Sequence, residues 1–236
     1  MNKTACRWMW AALAVCGWVA AAAAGLSGAR SPVLLIGDSM MKLPGHALER
    51  ELAKIPGVEA HSFSGIGTGL ARLDAFDWLA KIDALCAEIQ PKVAVVALGA
   101  NDRQPMMLEN VGLAQPGAPE WEAEYAVRLG RAMDHLLAGG CETVIWLQLP
   151  PMRDDVAAAH AQRINALVLA EAARRPRVVA HDFSPLVADR RTGGYADRRM
   201  DPQTAAAIQV RDVDGIHLAP EGARLLALSL AEEYWK

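Results

Sequence analysis

Aspartate and histidine stand three residues apart in Asp214-Gly215-Ile216-His217, just ahead of an apolar stretch of helical spacing. In a tight turn that spacing lets the carboxylate fold back onto one imidazole nitrogen. The tautomer is then fixed and the other nitrogen is free to act as a base. A base of this kind needs a nucleophile, and Ser39 is the candidate. It closes Val33-Leu34-Leu35-Ile36-Gly37-Asp38-Ser39, where an unbroken apolar run stops at small and polar residues. Such a run reads as a strand buried on both faces. Open α/β sheets place their ligands at the C-terminal ends of such strands. Asp38 and Ser39 also suit a plainer role, capping the helix that follows. The two residues alone leave both readings open.

Acyl transfer through a serine also needs donors aimed at the developing oxyanion. The Ser39 backbone N–H, a glycine N–H from Ser64-Gly65-Ile66-Gly67-Thr68-Gly69 and the Asn101 side-chain amide can supply them. The glycine-rich loop fits no nucleotide-binding spacing, so it is not read as a phosphate cradle. Among the other histidines, His46 falls on the outer part of the first helix. His181 adjoins Asp182 at a strand end, and His61, His135 and His160 read as surface or internally satisfied residues. No His/Cys/Asp/Glu cluster has metal-ligand spacing, so neither a metal nor a cofactor is expected.

The elements that must position these residues alternate. Helices are expected over 44–55, 74–89, 121–138, 156–174 and 220–235. Strands are expected at 33–36, 58–63, 93–98, 144–149 and 178–183. Residues 104–119 read as a loop, and 184–213 as an irregular excursion over the active face. Alternation at this spacing predicts an α/β fold of three layers around a parallel sheet of about five strands, with right-handed crossovers. The polar clusters Gly37-Asp38-Ser39, Ser64 to Gly69 and Gly99 to Asp102 all fall at strand ends, so they gather on one edge.

Composition narrows the class. The 236 residues suit one α/β domain, and 24 basic against 27 acidic residues leave no nucleic-acid footprint. Lys3 and Arg7 precede an uncharged apolar stretch from Trp8 to Leu26, followed by small residues. That layout predicts a signal peptide over residues 1–30, with cleavage near Ala22-Ala23-Ala24 or Gly28-Ala29. An uncleaved anchor is the competing reading. Val15 is too large for the lipobox position before Cys16. The remainder, 31–236, is expected to be a single domain in the periplasm or outside the cell, near a membrane only through its N-terminus. Cys86 and Cys141 are the cysteines left once a leader is removed, and an oxidising compartment would allow a bridge between them. Two buried free thiols are the equal alternative.

Gly37-Asp38-Ser39, Gly67, Gly99-Ala100-Asn101-Asp102 and Asp214-Gly215-Ile216-His217 together resemble the four blocks of the SGNH (GDSL-type) hydrolases, in family order. Met40 stands where many members have Leu, as in a periplasmic bacterial subgroup. The resemblance implies the flavodoxin-like SGNH fold. It also implies Ser39 as nucleophile, His217 as base and Asp214 as its orienting partner, with Ser39, Gly67 and Asn101 forming the oxyanion hole. Gly65 is the alternative to Gly67. The activity implied is removal of a short acyl group, acetyl above all, from a cell-envelope saccharide or a small ester. Two other readings are an O-acyltransferase, supplied by an acyl-donating membrane protein, and a non-catalytic saccharide-binding protein. Arg103, Gln104, Arg153, Asp154, Arg190, Arg191, Arg198 and Arg199 lie in loops expected over the active face, and suit hydroxyls or a substrate carboxylate. Met106-Met107-Leu108 and the stretch from Tyr195 to Met200 are expected as pocket walls.

Overall fold

The computed structural model describes residues 31–201 and 203–236, so the expected leader lies outside the described residues. In chain order its first elements are β1 (Val33–Gly37), α1 (Ser39–Leu52), β2 (Ala60–Ser64), α2 (Trp78–Ile89) and β3 (Val93–Ala97). A short hairpin follows, β4 (Met106–Leu108) and β5 (Gly112–Ala114), and then α3 (Pro119–Ala138) and β6 (Thr143–Leu147). The chain continues through α4 (Asp155–Ala172), β7 (Val178–His181) and the single turn α5 (Ser184–Val187). A second hairpin, β8 (Arg198–Met200) and β9 (Ala207–Gln209), precedes the last helix, α6 (Pro220–Trp235).

Five strands form a parallel sheet in the order β2-β1-β3-β6-β7. β1 and β3 are buried along their whole lengths, as their continuous Val/Leu/Ile/Ala runs require. The chain steps from β1 outward to β2 and then back across to β3. With right-handed crossovers that reversal places α1 and α2 on opposite faces. Accordingly α1 packs with α6, while α2, α3 and α4 pack side by side. This is the three-layer α/β arrangement expected from the alternation.

Several boundaries differ from the sequence expectation, each for a local reason. α1 begins at Ser39 rather than at Pro44. Asp38 accepts the Met40 N–H at 2.8 Å and caps the helix directly off the strand. Pro44 sits inside it, withholding a donor from the Met40 carbonyl alone. α2 begins at Trp78 rather than Asp74, because Asp77 accepts the N–H groups of Leu79 and Ala80. The loops at 104–119 and 184–213 each contain a hairpin of three-residue strands, too short to leave a period in the sequence. Cys86 and Cys141 are both buried as free thiols in hydrogen-bond contact with each other.

The close pairing of β1 with β3 beneath Ser39 depends on Gly37. A Cβ there would lie 2.1 Å from the Ala97 carbonyl oxygen, which accepts the Asp38 N–H at 3.0 Å. Gly37→Ala is therefore expected to part the two strands and lower stability by about 2–3 kcal/mol, near the upper range of overpacking costs. Urea unfolding measures it, and a wild-type midpoint for the variant would contradict the close approach.

Candidate active site

Ser39, at the first position of α1, and His217, in the turn before α6, are brought together by the packing of those two helices. Ser39 Oγ and His217 Nε2 lie 2.7 Å apart. On the other side of the ring, Nδ1 lies 2.5 Å from Asp214 Oδ2. A carboxylate only accepts, so Nδ1 carries the proton and donates it, and Nε2 accepts from the serine hydroxyl. The other Asp214 oxygen accepts the N–H groups of Ile216 and His217 at 2.8 and 3.0 Å, which folds the turn. Gly215 lets it close, with φ +76°. Desolvation opposes ionisation of Asp214, but the bonds from the His217 ring and from these two N–H groups prevail and lower its pKa to about 2.

The oxyanion donors can be sorted by their partners. Gly65 gives its N–H to the Gly37 carbonyl at 2.9 Å, continuing the β1–β2 ladder, and so cannot serve. Gly67 has φ +77°, and its N–H has no partner among the described residues. Of the two glycines, Gly67 is the one whose N–H is free to meet an oxyanion. Ser39 N–H, at the start of α1, is likewise open, where the helix N-terminus favours negative charge. The Asn101 amide donates one hydrogen to the Thr68 carbonyl at 3.0 Å and has a second to give.

Two buried carboxylates hold these loops against one another. Asp38 accepts from Gly99 N–H at 3.1 Å as well as from Met40, tying the end of β1 to the loop after β3. Asp102 accepts from Ala71 N–H and from the Tyr125 hydroxyl, both at 2.7 Å, tying that loop to the glycine-rich segment. Gly69 is glycine because a Cβ would fall 2.1 Å from Asp102 Oδ1. Burial pushes the Asp38 carboxyl up to about 7, against the pull of its N–H donors and with help from the Asp102 charge. Burial also raises Asp102.

Sequence reasoning missed three supports. Arg211 is fully buried and, among the described residues, forms no ion pair with a carboxylate. It donates to the carbonyls of Pro151 at 2.5 Å, Ile216 at 2.7 Å and His217 at 3.4 Å. Its guanidinium also lies over the Tyr195 ring, and burial lowers its pKa to about 10. Arg153, expected to face substrate, instead pairs with Asp197 at 2.6 Å and donates to the Val213 carbonyl at 2.8 Å. His160, expected to be an ordinary satisfied residue, is buried, with Nε2 donating to the Gly99 carbonyl at 2.8 Å and Nδ1 lacking a partner. Desolvation lowers its pKa and keeps it neutral. Arg211 and His160 carry no spacing signal, so nothing in the sequence marked them, and the Arg153 position was marked but not its partners.

The remaining histidines do not reach Ser39. His46 meets Glu49, His61 meets Glu59, His135 meets Asp83 and His181 meets the Tyr234 hydroxyl. Two open grooves occupy the active face. One, of about 460 Å³, is bordered by Leu73, Pro105, Met107 and Leu113, with Arg72 and Arg128. The other, of about 490 Å³, is bordered by Pro151, Arg153, Gln162, Thr192 and Tyr195. Met107 borders the first groove and Tyr195 the second, whereas Met106 is buried in the core. The first hairpin shows more apolar surface than the sequence suggested, with Met107 and Leu113 71% and 58% exposed.

Residues 32–233 match a family described as Protein of unknown function (DUF459). The chain belongs to that family. No curated protein matches this DUF459 chain. Two solved structures that resemble it are a lipase, Lip_vut3, from a goat rumen metagenome and the salicylyl-acyltransferase SsfX3 of a tetracycline biosynthetic pathway. Each is 13% identical with a TM-score of 0.49. The lipase alignment covers 85% of this chain and 96% of the lipase. The acyltransferase alignment covers 88% of this chain and 55% of the other, so the DUF459 chain spans about half of that structure. Among the described residues, no helix is long and apolar enough to cross a membrane, and no group of three or more His, Cys, Asp or Glu is placed to hold a metal ion.

Two outcomes test this geometry. The folded Asp214 carboxyl, at about 2, lies below its unfolded value of about 3.9. Its contribution to stability is therefore complete above the unfolded value and lost as pH falls toward 2. The stability gap between wild type and Asp214→Asn should narrow between pH 6 and about pH 2.5 in urea titrations; a constant gap would show that the carboxylate is not held ionised. Arg211→Met should leave three carbonyls short of a donor and lower the unfolding free energy by at least about 2 kcal/mol. A loss below about half that figure would make the guanidinium incidental.

Proposed function

We propose that the protein is an SGNH-type serine ester hydrolase that removes a short acyl group, acetyl above all, from a saccharide. The observation that carries this reading is the unbroken hydrogen-bond chain Ser39–His217–Asp214. A capping serine needs no imidazole on its hydroxyl, and a binding protein needs no such chain. Ser39 Oγ attacks the ester carbonyl carbon as its proton passes to His217 Nε2. The oxyanion is held by the N–H groups of Ser39 and Gly67 and by the Asn101 amide. Collapse expels the alcohol, which takes the proton from His217, and water then repeats the sequence on the acyl-enzyme. Asp214 stays ionised throughout and holds the ring in the productive tautomer.

Water is the favoured acceptor because the site is open. The side chains of His217 and Asp214 are 34% and 41% exposed, so solvent reaches the face from which the acyl-enzyme is cleared. An O-acyltransferase would need that face covered by its sugar. The short acyl group is supported by the charged and polar side chains, Arg103, Gln104 and Asp154 among them, of the loops that follow β3 and β6. Each further CH₂ would gain its roughly 0.8 kcal/mol only against apolar surface. The leader-like N-terminus supports action in the periplasm or outside the cell.

Ser39→Ala should cut hydrolysis of p-nitrophenyl acetate by at least about 10³, with the thermal midpoint little changed. A residual tenth of the activity would refute the mechanism. With wild type, the acetate ester should have a higher kcat/KM than the octanoate ester. The opposite order would overturn the short-acyl reading, and capture of most of the acetyl group by an added sugar would make the protein a transferase.

A further inference from the structure

Asn101 sits in a four-residue turn. The Gly99 carbonyl accepts the Asp102 N–H at 3.2 Å, which closes Gly99-Ala100-Asn101-Asp102 with Asn101 in the third place. The aim of the Asn101 amide therefore depends on what holds the two ends of this turn. Asp102 is held by its own carboxylate, through the Ala71 N–H and the Tyr125 hydroxyl. Gly99 is held from two sides. Its N–H donates to Asp38 Oδ2 at 3.1 Å, and its carbonyl accepts a second hydrogen, from His160 Nε2 at 2.8 Å. Since Asp38 adjoins Ser39, these bonds run from α4 through Gly99 to the residue beside the nucleophile.

α4 reaches this turn closely. Gly99 has φ +131°, and a Cβ there would fall 2.8 Å from Cγ2 of Ile164, one helical turn beyond His160. The helix is anchored independently of His160, because the Asn165 side chain bonds both the N–H and the carbonyl of Leu149, at 2.7 and 2.9 Å. His160 itself is 4% exposed, and its Nδ1 is buried without a partner among the described residues. An unsatisfied buried nitrogen carries a cost that an apolar side chain would avoid. Packing alone thus gives no reason for an imidazole at this place, whereas the bond to the Gly99 carbonyl does. The ring also borders a small cavity with Ala100 of the turn and with Ile216, the neighbour of His217. It therefore lies between the loop of the oxyanion donor and the turn of the base.

We propose that His160 is a positioning residue of the oxyanion hole, whose Nε2–H fixes the Gly99 carbonyl and so aims the Asn101 amide. The inference rests on the ester-hydrolase reading of Ser39 and adds a residue outside the triad. A donor held in place beforehand stabilises developing charge without reorganising. That charge exists only in the transition state, so releasing the turn lowers kcat and leaves KM nearly unchanged.

The test uses the full chain and p-nitrophenyl acetate, at a temperature well below the unfolding midpoint of every variant. His160→Leu should lower kcat by about tenfold or more, part of the roughly 10²–10³ that a lost oxyanion donor costs. His160→Gln should recover most of the loss, because its amide can reach the same carbonyl. His160→Asn, too short to reach it, should not, and the two amides carry the comparison if the leucine variant does not fold. In an Asn101→Ala background, His160→Leu should lower kcat by less than about twofold, since residues that act through one another are not additive. Hydrogen exchange at the Asp102 amide, which bonds the same carbonyl, should speed up in His160→Leu and stay near wild type in His160→Gln. A folded His160→Leu with wild-type kcat, equal losses in both backgrounds, or equal losses for the two amides would overturn the inference. Failure of the wild type to cleave the ester would count against the hydrolase reading. The exchange measurement needs no turnover, and unchanged exchange in His160→Leu would overturn the hold on the turn by itself.

Discussion

Two carboxylates with no access to water hold the active face together. Asp38 and Asp102 each accept backbone N–H groups from a loop other than their own, and between them they join the ends of β1 and β3 to the glycine-rich segment after β2. Burying a carboxylate is costly unless hydrogen bonds replace its hydration. These two are supplied with several donors each, so pulling any one loop away strands a charge or an N–H group in the interior. The loops bearing Ser39, Gly67 and Asn101 therefore move as a unit. Preorganisation of that kind lets donors stabilise an oxyanion without reorganising during the reaction. Asp38 does this while also capping α1, so the capping reading of the Gly-Asp-Ser stretch falls to Asp38, and Ser39 beside it meets the His217 ring.

The catalytic-looking turn is held by other means. Arg211 gathers the carbonyls of Pro151, Ile216 and His217, while Arg153 grips the same turn at Val213 and Gly215. Gly215 permits the approach, since a Cβ there would fall 2.7 Å from Arg153 Cβ. Carbonyl oxygens only accept, and a guanidinium offers five donors in a rigid fork. One arginine can thus fix a turn that has too few residues to hydrogen-bond itself. The site is pinned by buried carboxyl groups on the serine side and by guanidinium groups on the histidine side.

Much of this was legible in the chain. The continuous apolar runs at Val33 and Val93 mark buried strands because a strand covered on both faces has no polar side. Ser39, Asn101, Asp214 and His217 stand out because each follows such a run or a tight turn. Residues whose role is set by a distant partner were not legible. Tyr125 reaches Asp102 from α3, His160 reaches Gly99 from α4, and Arg211 acts on carbonyls, which every residue has. The hairpins at Met106 and Arg198 escaped because three residues are too few to show alternation. The choice between Gly65 and Gly67 turned on where one N–H is spent, which depends on the register of β1 and β2.

The bond between Ser39 and His217 joins residues 178 positions apart, one at the first helix and the other just before the last. α1 and α6 pack against each other, and that packing brings the two ends of the chain together. Contacts of such separation form late, since loop closure costs entropy before the contact repays it. During synthesis the serine emerges early and its base nearly at the end. A growing chain thus holds the serine hydroxyl without the imidazole. The two meet only when the C-terminal helix docks, so the order of the sequence itself delays assembly of the candidate site until the whole domain has folded.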